Sequence, residues 1–265
     1  MSNIIIFSDI DGTLIDFETY SHVEVKSSVS RLISCQIPIV LCSSKTRAEQ
    51  ANLRHTLGIQ DPYIVENGSA IVVPEDYFDN TIPLVVELGV KADDIQRVLN
   101  DIRQQTELEF KGYSDMTIAE ISEVTGLDKT SAAEAKYREY SETIVTSLTP
   151  YLAQQLHKAL VKNGLTLISG GKFHTVTSAQ TDKGTAVTRL TNLYQEEWSD
   201  IVTIGLGDSI NDASMLAAVD QPFLVQKPNG HWQNMEQQSV TKVPAVGPRG
   251  WRLVVESLFE KQDSP

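Results

Sequence analysis

Cysteine is the scarcest residue type in this chain. Only Cys35 and Cys42 occur among the 265 residues, and both lie in or beside the apolar segment 37–42. Free thiols in apolar surroundings pack as small hydrophobic groups. We therefore predict a packing role for both cysteines, and neither a disulfide nor a redox centre.

Long apolar runs are also missing. No stretch reaches the roughly 18 apolar residues that a transmembrane helix needs. The N-terminus lacks the basic and apolar segments of a signal peptide. We therefore expect a cytoplasmic protein with no membrane partner.

Basic residues are outnumbered by acidic ones. The chain has 22 Lys and Arg against 35 Asp and Glu, which gives a formal net charge of −13 and a pI near 4.8. Nucleic acids and anionic membranes select basic patches, so no nucleic-acid partner is expected. A small phosphorylated substrate is compatible with this charge, because a bound cation and a few local basic groups can reverse the local field.

Apolar runs and helical segments alternate along most of the chain, and 41% hydrophobic residues are enough for a sizeable core. Strands are predicted at 4–7, 37–42, 63–65, 70–73, 201–204 and 222–225. Helices are predicted at 22–36, 45–57, 183–194, 213–219 and 250–259. Strand–helix–strand alternation implies parallel pairing with right-handed crossovers. We predict an α/β protein built on a doubly wound parallel sheet.

The alternation stops at residues 74–83, where acidic and turn-forming residues cluster. From residue 84 to about residue 175 the segments are typical of a separate α+β unit. Its predicted strands are 84–88, 142–147, 165–168 and 173–177, and its helices are 91–105, 118–124 and 149–163. A polar loop is predicted after the helix 118–124. We predict a discontinuous core, residues 1–83 and 176–265, with an inserted domain at residues 84–175.

The first predicted strand ends directly in two carboxylates, Asp9 and Asp11, which Gly12 and Thr13 follow. Ligands of open α/β sheets bind beyond the carboxyl ends of the strands, so these side chains lie where chemistry is expected. An Asx-type turn that closes an ordinary strand explains the same residues. On this segment alone, both interpretations stay open.

A second acidic group, Asp208 and Asp212, follows another buried strand. If the two strands are neighbours, four carboxylates converge on one crevice and repel each other unless a cation neutralises them or some are protonated. Oxygen-only ligation suits Mg²⁺, which binds one or two carboxylates together with water and substrate phosphate. The alternative is a simple turn in which Asp212 caps a helix.

Hydroxyl groups and a lysine complete the set. Ser43 and Ser44 follow a third strand at a predicted helix start, where hydroxyl and backbone N–H groups bind anions. Lys183 opens a helix, where an exposed cation opposes the helix dipole at a cost of about 0.3–1 kcal/mol. A functional charge is therefore expected there. Carboxylates, an anion site and a lysine together predict phosphoryl transfer with an aspartate nucleophile.

Four segments resemble, in order and spacing, the four motifs of the haloacid dehalogenase superfamily: Asp9–Thr13, Ser43, Lys183 and Gly207–Asp212. The resemblance implies a Rossmann-like core, a Mg²⁺-dependent phosphatase activity and a C2-type cap, which is the inserted domain. It also implies that Asp9 is the nucleophile and Asp11 the general acid and base.

The same resemblance implies the remaining roles in the core. The Mg²⁺ ligands would be Asp9, the backbone carbonyl of Asp11, and Asp208, with Asp212 supporting them. Ser43 and Lys183 would hold the transferring phosphoryl group beside the Ser44 donors, and Asn211 would orient Lys183 or the phosphate-binding loop.

A narrower resemblance is to mannosyl-3-phosphoglycerate phosphatases. It rests on segments of both core and cap: Leu41–Thr46, Glu66–Gly68, Arg138–Glu142, Gly170–His174 and Gly247–Trp251. It implies a glycosyl-3-phosphoglycerate as substrate, first of all the mannosyl compound. The cap residues predicted to contact it are Arg138, Ser141, Glu142, Gly170, Gly171, Lys172 and His174. Arg138 could pair bidentately with the glycerate carboxylate. The alternatives are solvated surface side chains and, for the two glycines, a strand break.

Other functions fit the same motifs. They are a phosphatase for another sugar phosphate, such as sucrose phosphate or a hexose phosphate, a phosphomutase with the same nucleophile, and a non-catalytic protein that binds phosphorylated metabolites. The last has no need for both Asp9 and Asp11. The sequence carries no signal for the oligomeric state.

Overall fold

The structure is a computed structural model that describes residues 3–78, 84–170, 173–235 and 239–260. Its strands, numbered in chain order, are β1 (Asn3–Ser8), β2 (Ile39–Leu41), β3 (Tyr63–Val65), β4 (Ala70–Val73), β5 (Leu84–Glu87), β6 (Glu142–Ile144), β7 (Leu165–Gly170), β8 (Phe173–Ser178), β9 (Ile201–Gly207), β10 (Gln221–Gln226) and β11 (Thr241–Val246). Its helices are α1 (Lys26–Ser34), α2 (Arg47–Leu57), α3 (Ala92–Gln105), α4 (Ile118–Thr125), α5 (Lys129–Lys136), α6 (Pro150–Val161), α7 (Lys183–Glu197), α8 (Ala213–Ala217) and α9 (Gly247–Glu260).

A five-stranded parallel sheet in the order β11-β10-β9-β1-β2 forms the centre of the core. Side chains alternate between its two faces along β1, as the period of a strand requires. Ile5 and Phe7 pack in the cluster that contains Tyr194, whereas Ile6 packs in the cluster that contains Trp251. The predicted α/β class, with its doubly wound parallel sheet, is confirmed.

A second sheet extends from the edge of the first. Its order is β3-β4-β5, all antiparallel, and a bridge between Cys42 and Ile64 joins it to the parallel sheet. Residues 84–87 form β5 and pair with β4, which lies in the predicted core. The sequence, in contrast, predicts that the inserted unit begins at residue 84. The loop after β3 starts beside the end of β2.

The cap has its own antiparallel sheet, in the order β6-β8-β7, and its own apolar cluster. One helix of the cap, α5, lies where the sequence predicts a polar loop, so that prediction is wrong. Asp128 caps α5, because its side chain accepts hydrogen bonds from the backbone N–H groups of Thr130 and Ser131. β11 was also missed: it is a half-exposed edge strand with Pro244 in an exposed position, where proline is tolerated.

The cysteines differ. Cys42 is fully buried beside β2, as predicted, whereas Cys35 is exposed at the end of α1, so the packing role predicted for it is wrong. Among the helices in the described ranges, none is both long and apolar enough to cross a bilayer.

Candidate active site

The carboxyl ends of three neighbouring strands meet at one edge of the parallel sheet. The N–H of Asp9 donates to the carbonyl of Leu206 at 3.0 Å, and the N–H of Cys42 donates to the carbonyl of Ser8 at 2.8 Å. These bonds extend the β9-β1-β2 ladder by one residue past the strands. Asp9 is one of the two residues that extend the ladder, Ser43 directly follows the other, and Asp208 directly follows β9. The three side chains are therefore held side by side.

Lys183 binds two buried carboxylates. Its Nζ lies 2.6 Å from Oδ1 of Asp9 and 2.7 Å from Oδ1 of Asp212, and all three side chains are almost completely buried. Burial by itself lowers the pKa of Lys183, but Asp212 and Asp9 raise it well above the usual value. The ammonium group therefore stays charged at every relevant pH. Within the described residues, Oδ2 of Asp9 accepts no hydrogen bond.

Asp212 also shapes the loop after β9. Its Oδ2 accepts hydrogen bonds from the N–H of Asp208 at 3.1 Å and from the N–H of Ser209 at 3.0 Å. The loop lies so close to Gly207 that a Cβ there would come within 2.6 Å of the Asp212 Cβ. The glycine is required because any side chain would push Asp212 away from Lys183.

Asp9, Asp208 and Asp212 form the one group of possible metal ligands found in the described part of the chain, each with an oxygen within 4.8 Å of the others. Burial is the main cause that raises the pKa of Asp208, to about 6, and the charge of Asp212 adds to it. Burial and Asp212 raise the pKa of Asp9 as well. Among the described residues, Lys183 is ion-paired with Asp9 and Asp212, whereas Asp208 has no ion pair and Lys227 acts on it only as a nearby charge. Three carboxylates with so little compensating charge fit a hard divalent cation.

Asp11 lies apart from this group and pairs with Lys45. Nζ of Lys45 is 3.1 Å from Oδ2 of Asp11, while Oδ1 of Asp11 is buried without a hydrogen-bond partner. Burial raises the pKa of Asp11 despite the lysine. No role was predicted for the Lys45 side chain, although its place directly after Ser43 and Ser44 was a usable signal.

The predicted anion site lies in a loop and not at a helix start. α2 begins at Arg47, two residues later than predicted, and Thr46 and Glu49 cap it reciprocally. A carboxylate therefore already occupies the end of the helix that attracts anions. Ser43 is buried before the helix, and its Oγ accepts a hydrogen bond from the N–H of Lys45 at 3.2 Å, which leaves its proton available to a ligand.

Asn211 braces the loop after β9, since its side-chain oxygen accepts a hydrogen bond from Oγ of Ser209. No hydrogen bond joins Asn211 to Lys183 within the described ranges. β7 of the cap lies against the turn Ile210–Asp212, so the cap closes over this side of the site.

Two predicted cap residues meet the core at or near the loop that contains Ser43 and Ser44. Arg138 donates from Nη2 to the carbonyl of Ser44 at 2.7 Å and from Nε to Oγ of Ser141 at 2.7 Å. Ser141 in turn donates to the carboxylate of Glu66, a fully buried core residue. In this conformation these side chains join cap to core.

The other predicted cap residues lie elsewhere. Oε1 of Glu142 accepts the N–H of Tyr113 at 3.0 Å, and His174 contacts Oγ of Ser169 through Nδ1 at 3.0 Å. Gly170 pairs with Phe173 at the end of the β7–β8 hairpin. Gly171 and Lys172 lie outside the described residues.

Glu66 was missed as a functional candidate. It follows the apolar strand β3 directly, which is the same signal that pointed to Asp9 and Asp208, and it lies in one of the segments on which the narrower resemblance rests. Glu66 and Asn67 both have positive φ angles, 49° and 59°. Such angles are uncommon outside glycine and often mark functional sites.

The fold and the site define a hydrolase of the haloacid dehalogenase-like family. The sequence profile of this family matches residues 6–230. The chain belongs to this family, which confirms the expectation from the four motifs.

Two related proteins are named for one class of substrate. A glucosyl-3-phosphoglycerate/mannosyl-3-phosphoglycerate phosphatase of Methanococcoides burtonii is 37% identical over 98% of both chains. A protein of the same name from Persephonella marina is 32% identical over 94% of both chains. The narrower resemblance predicted from the core and cap segments is thus confirmed.

Solved structures agree on the fold. Protein 0175 of Thermoplasma acidophilum superposes with a TM-score of 0.73 at 15% identity, over 98% of this chain and 99% of that one. A haloacid dehalogenase-like hydrolase of B. subtilis superposes with a TM-score of 0.67 at 18% identity, over 96% and 99%.

Proposed function

We propose that the chain is a phosphomonoesterase that hydrolyses a glycosyl-3-phosphoglycerate, the mannosyl compound first, to glycosylglycerate and inorganic phosphate. The observation that carries the proposal is the buried Asp9, held on one oxygen by Lys183 at 2.6 Å beside the Asp208 and Asp212 carboxylates. The names of the two relatives support the substrate class.

In the first step, Oδ2 of Asp9 attacks phosphorus and the bond to the leaving C3 oxygen of the glycerate breaks, which gives an aspartyl-phosphate. Lys183 holds Oδ1 and so fixes the direction of attack. Asp11 gives its proton to the leaving oxygen, a role that its raised pKa favours.

In the second step, Asp11 takes a proton from water as the water oxygen attacks phosphorus. The bond between phosphorus and Asp9 breaks, which releases phosphate and restores both side chains. Asp11 is suited to both steps because the first leaves it deprotonated and the second returns its proton.

Mg²⁺ is the proposed cofactor, held by Asp9, the Asp11 carbonyl and Asp208, with Asp212 behind them. When bound, it would offset charge on the transferring phosphoryl group. Ser43, Ser44, Lys183 and Asn211 are proposed to form the phosphate site. The Ser43 hydroxyl can donate to a phosphoryl oxygen because its own acceptor lone pair is used by the N–H of Lys45.

The cap is proposed to select the substrate through Arg138, Ser141, Glu142, Gly170, Gly171, Lys172 and His174. The proposed division remains a core of residues 1–83 and 176–265 around a cap of residues 84–175. Both boundaries fall beside or within strands, since β5 pairs with β4 and β8 runs on to Ser178. The cytoplasmic location stays a prediction from the sequence.

Phosphate release tests the proposal. In Mg²⁺ we expect kcat/KM for mannosyl-3-phosphoglycerate to exceed that for mannose 6-phosphate by about a hundredfold, and we expect EDTA to abolish both activities. Glucosyl-3-phosphoglycerate, assayed in parallel, reveals the preferred sugar. Equal turnover of simple hexose phosphates would favour a general sugar phosphatase.

The nucleophile is tested by Asp9→Asn, which keeps the shape of the side chain but cannot form the acyl phosphate. We expect kcat to fall on the order of 10³-fold or more. Asp101→Asn, on the exposed face of α3, is the matched control and should leave kcat unchanged. Retained phosphate release in Asp9→Asn would rule out the assigned nucleophile, and tight binding without turnover in the unmodified protein would favour a metabolite-binding function.

A further inference from the structure

Four consecutive residues of the core, Glu66 to Ser69, contact four different parts of the molecule. They form the loop between β3 and β4, and all four are buried. The first three have positive φ angles, of 49°, 59° and 92°. We call this segment the 66–69 turn.

Glu66 holds the cap. Its Oε1 accepts the N–H of Glu139 at 2.8 Å, and its Oε2 accepts the N–H of Tyr140 at 3.1 Å and the hydroxyl of Ser141. The guanidinium of Arg138 supplies the positive charge, with Nε 3.7 Å from Oε2. A buried carboxylate that accepts several donors and faces a cation is strongly held, so Glu66 binds the cap in one defined position.

The next two residues hold groups of the proposed phosphate site. The N–H of Asn67 donates to the carbonyl of Ser43 at 2.9 Å. Gly68 packs directly against the backbone between Asp182 and Lys183, where a Cβ would overlap the Asp182 carbonyl. The backbone of the 66–69 turn therefore sets the positions of both Ser43 and Lys183.

Ser69 holds the two chain connections to the cap. Its carbonyl accepts the N–H groups of Leu88 and Gly89 at 2.9 and 2.8 Å, and its hydroxyl lies 2.9 Å from that of Thr177. Residues 88–89 lead into the cap and Thr177 leads out of it. A change in the position of the cap therefore acts on the same four residues that position the phosphate-binding groups.

We propose that Glu66 is a positioning residue that couples docking of the cap to the arrangement of Ser43 and Lys183, through the 66–69 turn. The proposal rests on the proposed phosphatase function. When the cap docks, Glu139, Tyr140 and Ser141 bond to Glu66 and stabilise the left-handed backbone of the turn. When the cap leaves, the carboxylate loses these donors, and the turn that supports Ser43 and Lys183 is no longer held.

Glu66→Gln tests the coupling, because it keeps the size of the side chain while it removes the charge and places an amide N–H₂ against donors. We expect kcat to fall about tenfold with both mannosyl-3-phosphoglycerate and p-nitrophenyl phosphate, and the backbone amides of Glu139 and Tyr140 to exchange hydrogen faster. A residue that only recognises substrate would raise KM for the glycosyl substrate alone.

Arg47→Ala is the matched control. It breaks the ion pair between Arg47 and Glu139, which joins cap and core at the same interface but is partly exposed. We expect kcat to change less than about threefold. Ser141→Ala removes a single donor to Glu66 and should give a smaller effect than Glu66→Gln in the same direction, which covers the case that Glu66→Gln does not fold.

Orthovanadate, a phosphate analogue, tests the arrangement of Ser43 and Lys183 without turnover. We expect its affinity in the presence of Mg²⁺ to fall about tenfold in Glu66→Gln. Unchanged kcat with faster amide exchange would show that Glu66 only fastens the cap, and would overturn the proposal. If the unmodified chain releases no phosphate from any ester, the proposed function fails, and vanadate affinity together with amide exchange still decides the role of Glu66.

Discussion

Buried carboxylates occur in the core and in the cap, but their partners differ. In the core, Asp9 and Asp212 share the cation Lys183, and Asp208 beside them has no ion pair among the described residues. In the cap, Glu142 accepts three backbone N–H groups, from Tyr113 at 3.0 Å, Ser114 at 3.3 Å and Thr143 at 2.8 Å.

This difference distinguishes a candidate metal site in the core from a carboxylate that supports the fold of the cap. Backbone donors satisfy the Glu142 carboxylate where it stands, so it holds the turn at Tyr113 and needs no cation to compensate its charge. The core cluster lacks positive charge, and burial raises the pKa of Asp9 and of Asp208 because their ionised forms are insufficiently compensated. A bound cation would supply that compensation.

The largest change in the free energy of unfolding is expected from Lys183→Met, which removes the cation of the core cluster. Asp9 and Asp212 would then be buried without a cation, and we expect the free energy of unfolding in EDTA at pH 7 to fall by about 3–5 kcal/mol. Urea denaturation measures it. Lys158→Met, on the exposed side of α6, is the control and should change stability little. A loss below about 1 kcal/mol in Lys183→Met would mean that the cluster is already protonated and needs no cation.

A smaller effect of opposite sign is expected from Asp208→Asn. The pKa of Asp208 is raised from 3.8 to about 6 in the fold, so its contribution to stability is complete below pH 4 and is lost as the pH rises through 6. In EDTA the variant should match the unmodified chain at pH 4 and exceed its unfolding free energy by about 2–3 kcal/mol at pH 7.

Urea denaturation between pH 4 and pH 7 measures this difference in unfolding free energy. The same measurement is then repeated with Mg²⁺ in place of EDTA. The cation should stabilise the unmodified chain more than the variant, because the variant lacks one of the proposed ligands. A pH-independent difference between the two proteins would contradict a raised pKa for Asp208.

The core site could be predicted because each of its signals is local. Asp9 and Asp208 each follow an apolar strand directly, and parallel strands bring their carboxyl ends to one edge. Ser43 followed from the same reasoning, and Lys183 followed from its unfavourable position at the start of a helix. The predicted start of α2 is two residues too early, because the reciprocal cap between Thr46 and Glu49 makes Arg47 the first helical residue.

Contacts between cap and core could not be predicted in the same way. Glu66 bonds to residues 139–141, more than 70 positions away in the chain, and no spacing in the sequence indicates that pairing. Arg138 carries a charge that suits a substrate carboxylate, yet its N–H groups donate to the carbonyls of Ser44 and Ala135 and to Oγ of Ser141. The helix α5 was not predicted for a local reason. Its first residues are polar types that are common both in loops and at helix N-termini, so Asp128 does not stand out as an N-cap.

The smallest effect is expected from Glu142→Gln in the cap. The glutamine keeps one acceptor oxygen but turns an N–H₂ group toward a backbone donor, so we expect the unfolding free energy to fall by about 1–2 kcal/mol. Mg²⁺ should not change that loss, since the contacts of Glu142 among the described residues are backbone N–H groups and include no cation. Glu123→Gln, on the exposed side of α4, controls for the lost charge. Turnover of p-nitrophenyl phosphate should stay within about twofold, because this substrate has no sugar for the cap to contact. If Mg²⁺ restored the stability of Glu142→Gln, the cap carboxylate would belong with those of the core, and the distinction between site and support would fail.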